Sequence, residues 1–255
     1  MHIVNPKLTN DWLRSRCTGR GVEVAVIDSG VEASHPDLAG RVKRACLVAK
    51  GPDGRIACRE TPAAESRDSY GHGTAVAGAV LGIAARAEII SVKVLDQYNQ
   101  CTGHELIAGL QWALDQRVKL INMSLATAKK QFVSALYELC EQAQNQDTII
   151  VASKRNFGDV GWPAIFSSVI AVDREDFPEK YWVRYYPKNV IDFGAAGTNV
   201  KLPARDGSYA VLTGTSFATP HVTGMVALLL EAFPELLPAE AKTILKSLAH
   251  DVAAS

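Results

Sequence analysis

A chain of 255 residues with 47% hydrophobic content is long enough to bury a substantial core, most simply as one α/β domain. Its 27 Lys and Arg balance its 27 Asp and Glu, so the net charge gives no reason to expect nucleic acid or an anionic membrane as main partner. The longest apolar run, Met225 to Leu230, is far too short to span a bilayer.

The first residues, Met1 to Lys7, lack the apolar stretch of a secretory signal, which leaves a protein that stays inside the cell or one whose leader has been removed. Five cysteines (Cys17, Cys46, Cys58, Cys101, Cys140) are scattered without a C-x-x-C or a zinc-ligand spacing. An odd count leaves at least one unpaired. Cys46 and Cys58 could bridge one loop, but buried free thiols are the commoner outcome in a chain of this size, and a cytoplasmic, reducing compartment is favoured.

Strands and helices alternate along the chain, the pattern of a mostly parallel central sheet with helices on both faces. Residues 6–20 read as a short helix and a turn at Thr18 to Gly21. Val22 to Ile27 is a β-branched strand that ends at Asp28-Ser29-Gly30. Residues 40–70 are polar and irregular, a surface excursion or hairpin around the turn Gly51-Pro52-Asp53-Gly54, with Cys46 and Cys58 on its arms. A helix with apolar residues at Ala75, Val76, Ala79, Val80 and Ile83 follows His72. Strands are expected at Glu88–Leu95, Lys119–Leu125, Thr148–Ala152, Ser168–Val172, Val190–Phe193 and Tyr209–Leu212. Helices are expected at Gly103–Gln116, Phe132–Gln146 and Pro238–His250, and from Ser216 through the apolar stretch up to Phe233. Pro220 is placed near the start of that helix, where few backbone bonds are lost.

Three glycine-flanked positions carry chemistry-bearing side chains. Asp28 ends a buried strand, where open α/β sheets place their sites, and an Asp capping a turn is at least as common there. His72 sits at a helix start between Gly71 and Gly73; alone, it reads equally as a turn residue. Ser216, in Gly214-Thr215-Ser216-Phe217-Ala218-Thr219-Pro220-His221, stands at a helix N-terminus. There, unpaired N–H groups favour a developing negative charge, and a capping hydroxyl is also at home.

Taken together, Val26-Ile27-Asp28-Ser29-Gly30, His72-Gly73-Thr74-Ala75-Val76-Ala77-Gly78 and Gly214-Thr215-Ser216-Phe217-Ala218-Thr219-Pro220 resemble the three signature blocks of the subtilisin-like serine proteases (subtilases), in that family's Asp, His, Ser order. Val92-Lys93-Val94-Leu95 and Ile121-Asn122-Met123-Ser124-Leu125 are similar to the family's core strands, so the likeness covers roughly residues 8–250. The resemblance implies a three-layer α/β/α fold in a single peptidase domain over residues 1–255, with no pro-segment among them. It implies a serine endopeptidase in which Ser216 is the nucleophile, His72 the general base and Asp28 the residue that orients the imidazole. Asn156 matches the side-chain donor of the oxyanion hole. The segments Tyr98 to Cys101 and Ser124 to Thr127 match those that bind substrate as an added strand. Asn99, Gln100, Cys101, Ser124, Leu125, Ala126, Ala152 and Ser153 are therefore the expected substrate-binding residues. The expected partner is a peptide or protein, and the chain is expected to be a monomer.

Several departures stand out. Ala126 and Thr127 replace usual glycines and are expected to narrow the specificity pocket. Arg155 replaces the usual Gly before the oxyanion Asn, where it could shift Asn156; with Lys154 it could instead favour an acidic substrate residue, although two solvated surface cations are the plainer reading. The loop that often binds calcium in the His72 helix is missing, which leaves Asp37 as a turn residue and predicts no tight calcium site of that type and no required cofactor. His221 is expected to pack behind the site. Two further readings are a subtilase-like fold that binds peptides without cutting them, and a processing protease dedicated to one partner protein.

Overall fold

The structure, a computed structural model, describes residues 8–250. The first two residues of the helix expected over 6–20 lie outside that range. Thr9 caps α1 (Asn10–Arg16) by accepting the Trp12 N–H. The chain then enters β1 (Glu23–Asp28), buried from Val24 onward. β2 (Val42–Lys50) and β3 (Ile56–Thr61) form an antiparallel hairpin around the expected Gly51–Gly54 turn. The region is more regular than its polar composition suggests, because every few residues a buried side chain (Val42, Ala45, Cys46, Val48) anchors β2 to the sheet. Five free thiols are present; Cys46 faces Glu60 and Cys58 faces Val48, two residues away on the same ladder.

α2 (His72–Ile83) and β4 (Glu88–Lys93) come next, then α3 (Gly103–Asp115), opened by a reciprocal cap between Thr102 and Glu105. β5 (Leu120–Met123), α4 (Val133–Asn145) and β6 (Ile149–Ser153) complete the middle of the chain. β7 (Ile170–Glu175), β8 (Val183–Tyr185) and β9 (Phe193–Ala196) follow, then the small hairpin of β10 (Val200–Pro203) and β11 (Tyr209–Leu212). α5 (Thr215–Ala232) and α6 (Pro238–Leu248) close the fold. The strand expected at Val190–Phe193 lies three residues later: Val190 is exposed, and Phe193 is the first residue to pair with β7. β8 and β10 were not legible in the sequence.

The sheet runs β3-β2-β4-β1-β5-β6-β7-β9-β8, parallel throughout except at its two edges. Its two faces bury alternate residues. Val24 and Val26 of β1 pack with α1, α2, α5 and α6, while Ala25 and Ile27 pack with α3 and α4. This is the expected three-layer α/β/α architecture. β4 and β5 both flank β1, so the strand order reverses at β1, and the crevice beyond its C-terminal end is where Asp28 emerges. Among the described residues, no helix is long and apolar enough to cross a membrane.

Candidate active site

Asp28 is fully buried at the end of β1. Its Oδ1 accepts the Ser29 N–H at 2.7 Å, and its two oxygens lie 2.8 and 3.0 Å from His72 Nδ1. That contact fixes the tautomer: Nδ1–H donates to the carboxylate and Nε2 is left as the basic nitrogen. The approach depends on glycine. A Cβ on Gly73 would collide with the Gly30 carbonyl oxygen and lie 3.1 Å from Asp28 Cβ, and Gly71 takes a φ of 109° that L side chains rarely adopt. Burial disfavours the imidazolium, but the charge and hydrogen bond of Asp28, with the charge of Asp68, outweigh it and hold His72 above its ordinary value.

Ser216 is the second residue of α5. Its hydroxyl donates to the Ser124 carbonyl at 3.0 Å, while the Ser124 hydroxyl donates to the Ser216 carbonyl at 2.8 Å. Pro220 explains the second bond. As the sixth helical residue, Pro220 removes only the N–H that would reach the Ser216 carbonyl, and the Ser124 hydroxyl takes its place. Asn122 Nδ2 holds Ser124 Oγ at 3.0 Å and is itself held by the Thr223 hydroxyl at 2.8 Å, so the end of β5 is tied to α5.

Asn156 follows β6. Its Oδ1 accepts from the Thr215 N–H at 3.0 Å and lies 3.2 Å from the Thr215 hydroxyl, which donates at 2.7 Å to the Lys154 carbonyl. With its oxygen occupied, the amide presents its NH2 group as donor. Arg155 is not in the left-handed region, and its N–H donates to the Val160 carbonyl at 2.9 Å, so the backbone accommodates a side chain here without displacing Asn156. The Lys154 ammonium is 2.7 Å from Asp173, which removes it as a free charge for an acidic substrate residue. Thr127 pairs both ways with Trp162, fixing the outer end of the segment that begins at Ser124.

A cleft of about 560 Å³ runs between these elements. His72, Ser216 and Asn156 line it, as do Asn99, Gln100, Cys101, Ser124, Leu125, Ala126 and Ser153. Ala152 does not: its side chain is fully buried among the α3 and α4 core residues, because β6 alternates and turns this position away from the opening. A smaller recess of about 390 Å³ lies on the other side of His72, between Tyr70, Arg205 and Phe217. His221 is buried behind the site with Nδ1 2.8 Å from the Ala196 carbonyl, and burial pushes it down to about 4. Asp37 accepts the Tyr209 hydroxyl at 2.8 Å, and among the described residues no group of three or more His, Cys, Asp or Glu is placed to hold a metal ion. Reading the sequence did not single out Asp68, Thr215 or Ser29; Ser29 and Thr215 lay inside the Asp28 and Ser216 blocks, whereas Asp68 carried no local signal.

Comparison with known proteins identifies the family. The model of the subtilase family matches residues 19–254. An intracellular serine protease of Paenibacillus polymyxa is 31% identical over 86% of this chain and 68% of its own length. Subtilisin E of Bacillus subtilis (strain 168) is 32% identical over 91% of this chain and 61% of its own length. The crystal structure of a cold-adapted subtilisin-like serine proteinase superimposes with a TM-score of 0.74 at 27% identity, covering 94% of this chain and 88% of the other.

Proposed function

Because the chain belongs to the subtilase family of serine endopeptidases, we propose that it hydrolyses peptide bonds through an Asp28–His72–Ser216 triad and an acyl-enzyme. The observation that carries this reading is that His72, hydrogen-bonded to the buried Asp28, lines the same cleft as Ser216 at the start of α5. Ser216 Oγ rotates away from the Ser124 carbonyl and adds to the scissile carbonyl as His72 Nε2 takes its proton. The resulting oxyanion is met by the Asn156 amide and by the N–H groups that open α5. Collapse of the tetrahedral intermediate breaks the C–N bond, and the amine leaves with the proton from His72. Water, activated by the same imidazole, releases the acyl group and restores Ser216. The substrate lies as an extended strand between Asn99–Cys101 and Ser124–Ala126. Beyond the substrate and water, these steps draw on side chains and backbone groups of the chain, which acts as a monomer.

A peptide binder without catalysis is the second reading, favoured by one observation: the Ser216 hydroxyl is donated to Ser124 and not to His72. A fluorophosphonate probe separates the two. Labelling that disappears in Ser216→Ala is expected of the protease; a folded protein that is never labelled is a binder.

A further inference from the structure

The triad and Asn156 leave one buried carboxylate unused. Asp68 lies four residues before His72, 6% exposed, and none of the ion pairs among the described residues includes it. It is nevertheless saturated with donors. Its Oδ1 accepts from the Ser29 hydroxyl at 2.7 Å, the Tyr70 N–H at 3.0 Å and the Gly71 N–H at 2.7 Å. Its Oδ2 accepts from the Thr74 N–H at 2.8 Å and the Thr74 hydroxyl at 2.6 Å. The network extends one bond further on each side: the Ser29 hydroxyl accepts the Gly73 N–H at 3.0 Å, and the Thr74 hydroxyl accepts the Glu32 N–H at 3.0 Å.

An ordinary helix cap needs one or two such bonds. Here one carboxylate gathers the residue after Asp28 and residues on both sides of His72, two segments some forty positions apart in the chain. Taking a carboxylate out of water is expensive unless its lone pairs are filled, and five donors together with the positive end of α2 fill them. A misplacement of about 1 Å transmitted to reacting groups can cost about 10²-fold in rate.

We propose that Asp68 is a positioning residue of the active site, clamping Ser29 and Thr74 so that Asp28 and His72 meet in hydrogen-bonding register. The inference rests on the triad reading above. Besides geometry, Asp68 supplies charge. The charged and titratable groups around His72 and Asp68 are Asp28 from β1 against His72, Lys93 from the end of β4 near Asp68, Cys101 on the cleft with His72, and Arg205, which shares the smaller recess with His72 and whose guanidinium donates to the Ser69 carbonyl at 3.2 Å. Of these, Asp28 and Asp68 favour the protonated imidazole.

The test is Asp68→Asn, measured by kcat, KM and the pH profile of kcat/KM, with circular dichroism as the folding control. An amide keeps the shape but must present an NH2 group to some of the donors. The expected result is a fall in kcat on the order of 10²-fold with KM unchanged, and an acid limb shifted to lower pH because a negative charge has left the imidazole. Asp68→Glu, which restores the charge without the geometry, is expected to keep the wild-type limb and still lose kcat. If Asp68→Asn does not fold, Ser29→Ala cuts one arm of the clamp and is expected to lower kcat with the limb unmoved. Wild-type kcat in a folded Asp68→Asn, a kcat loss without the limb shift, or unfolding of both Asp68→Asn and Ser29→Ala would reduce Asp68 to a structural cap and overturn the proposal. Absence of Ser216-dependent labelling in the wild-type protein fails differently: it removes the triad itself and this proposal with it.

Discussion

The two ends of the Asn156 amide are used differently. The Thr215 N–H occupies its oxygen, which orients the NH2 group as donor toward a cleft already lined by His72 and Ser216, while the Thr215 hydroxyl donates to the Lys154 carbonyl just before it. Asn156→Ala removes that donor. In subtilisin itself, loss of the side-chain donor costs about 10²–10³ in kcat; the same order is expected here, with little change in KM, by steady-state kinetics on a peptide substrate. Thr215→Val keeps the N–H that holds the Asn156 oxygen and removes only the hydroxyl bond to the Lys154 carbonyl, so a smaller loss of the same kind is expected. The base is set by opposing influences. Burial disfavours a charged His72, while Asp28 and Asp68 favour it and prevail. Only neutral imidazole accepts the Ser216 proton, so the acid limb of kcat/KM is expected above 6.5, the ordinary value of histidine. A limb at or below that value would show that the carboxylates do not govern the site.

At the scale of elements, α2 and α5 carry His72 and Ser216 and must lie against each other to bring them to one cleft. They do so where Gly224 meets Ile83: a Cβ at 224 would sit 2.5 Å from Ile83 Cβ and 3.0 Å from the Val80 carbonyl, neither of which can swing away. Gly224→Ala is therefore expected to cost about 1–3 kcal/mol as an overpacking change, lowering the melting temperature by several degrees. An unchanged melting temperature would mean that the two helices slide freely. The same steric logic explains what the sequence revealed. Gly71, Gly73 and Gly214 mark where α2 and α5 begin, so the elements bearing His72 and Ser216 could be read from residue types, as β1 could from the β-branched run ending at Asp28; the contact at Gly224 could not. β8 is three residues long, β10 ends in a proline, and β9 reads Phe-Gly-Ala-Ala, with little strand preference of its own; each is fixed by its neighbour in the sheet, which no local pattern records. Asp68 was hidden for a related reason. Its partners Ser29, Tyr70, Gly71 and Thr74 converge on it only once β1 and α2 are placed. Pro220 could be located on α5, but the Ser124 hydroxyl that replaces its lost bond comes from the end of β5.

For the whole molecule, the histidines oppose one another in their effect on stability against pH. His72 is held above its unfolded value, so its contribution is fully present below pH 6.5 and is lost as pH rises through its folded value. His221 behaves in the opposite sense. Wholly enclosed between α5 and the sheet, with Nδ1 on the Ala196 carbonyl, it is neutral in the folded protein and pushed down to about 4. Between pH 6.5 and 4 the unfolded chain therefore binds a proton that the folded one refuses, and stability falls as pH falls, by about 3 kcal/mol over the window. Glu231 is held below its ordinary value: some burial works against its charge, but the N–H groups of Thr18, Arg20 and Gly19 outweigh that, so its contribution is present above pH 4.5 and lost below it. The two losses thus occupy different ranges, which makes the contribution of His221 separable. Chemical denaturation of Ser216→Ala, used to prevent self-digestion, is expected to show stability declining steadily from pH 6.5 toward 4. His221→Gln in the same background is expected to flatten that decline while leaving the steeper loss below pH 4.5. If the decline persists in the variant, the proton is being taken up elsewhere and His221 is not the group that makes this fold sensitive to mild acid.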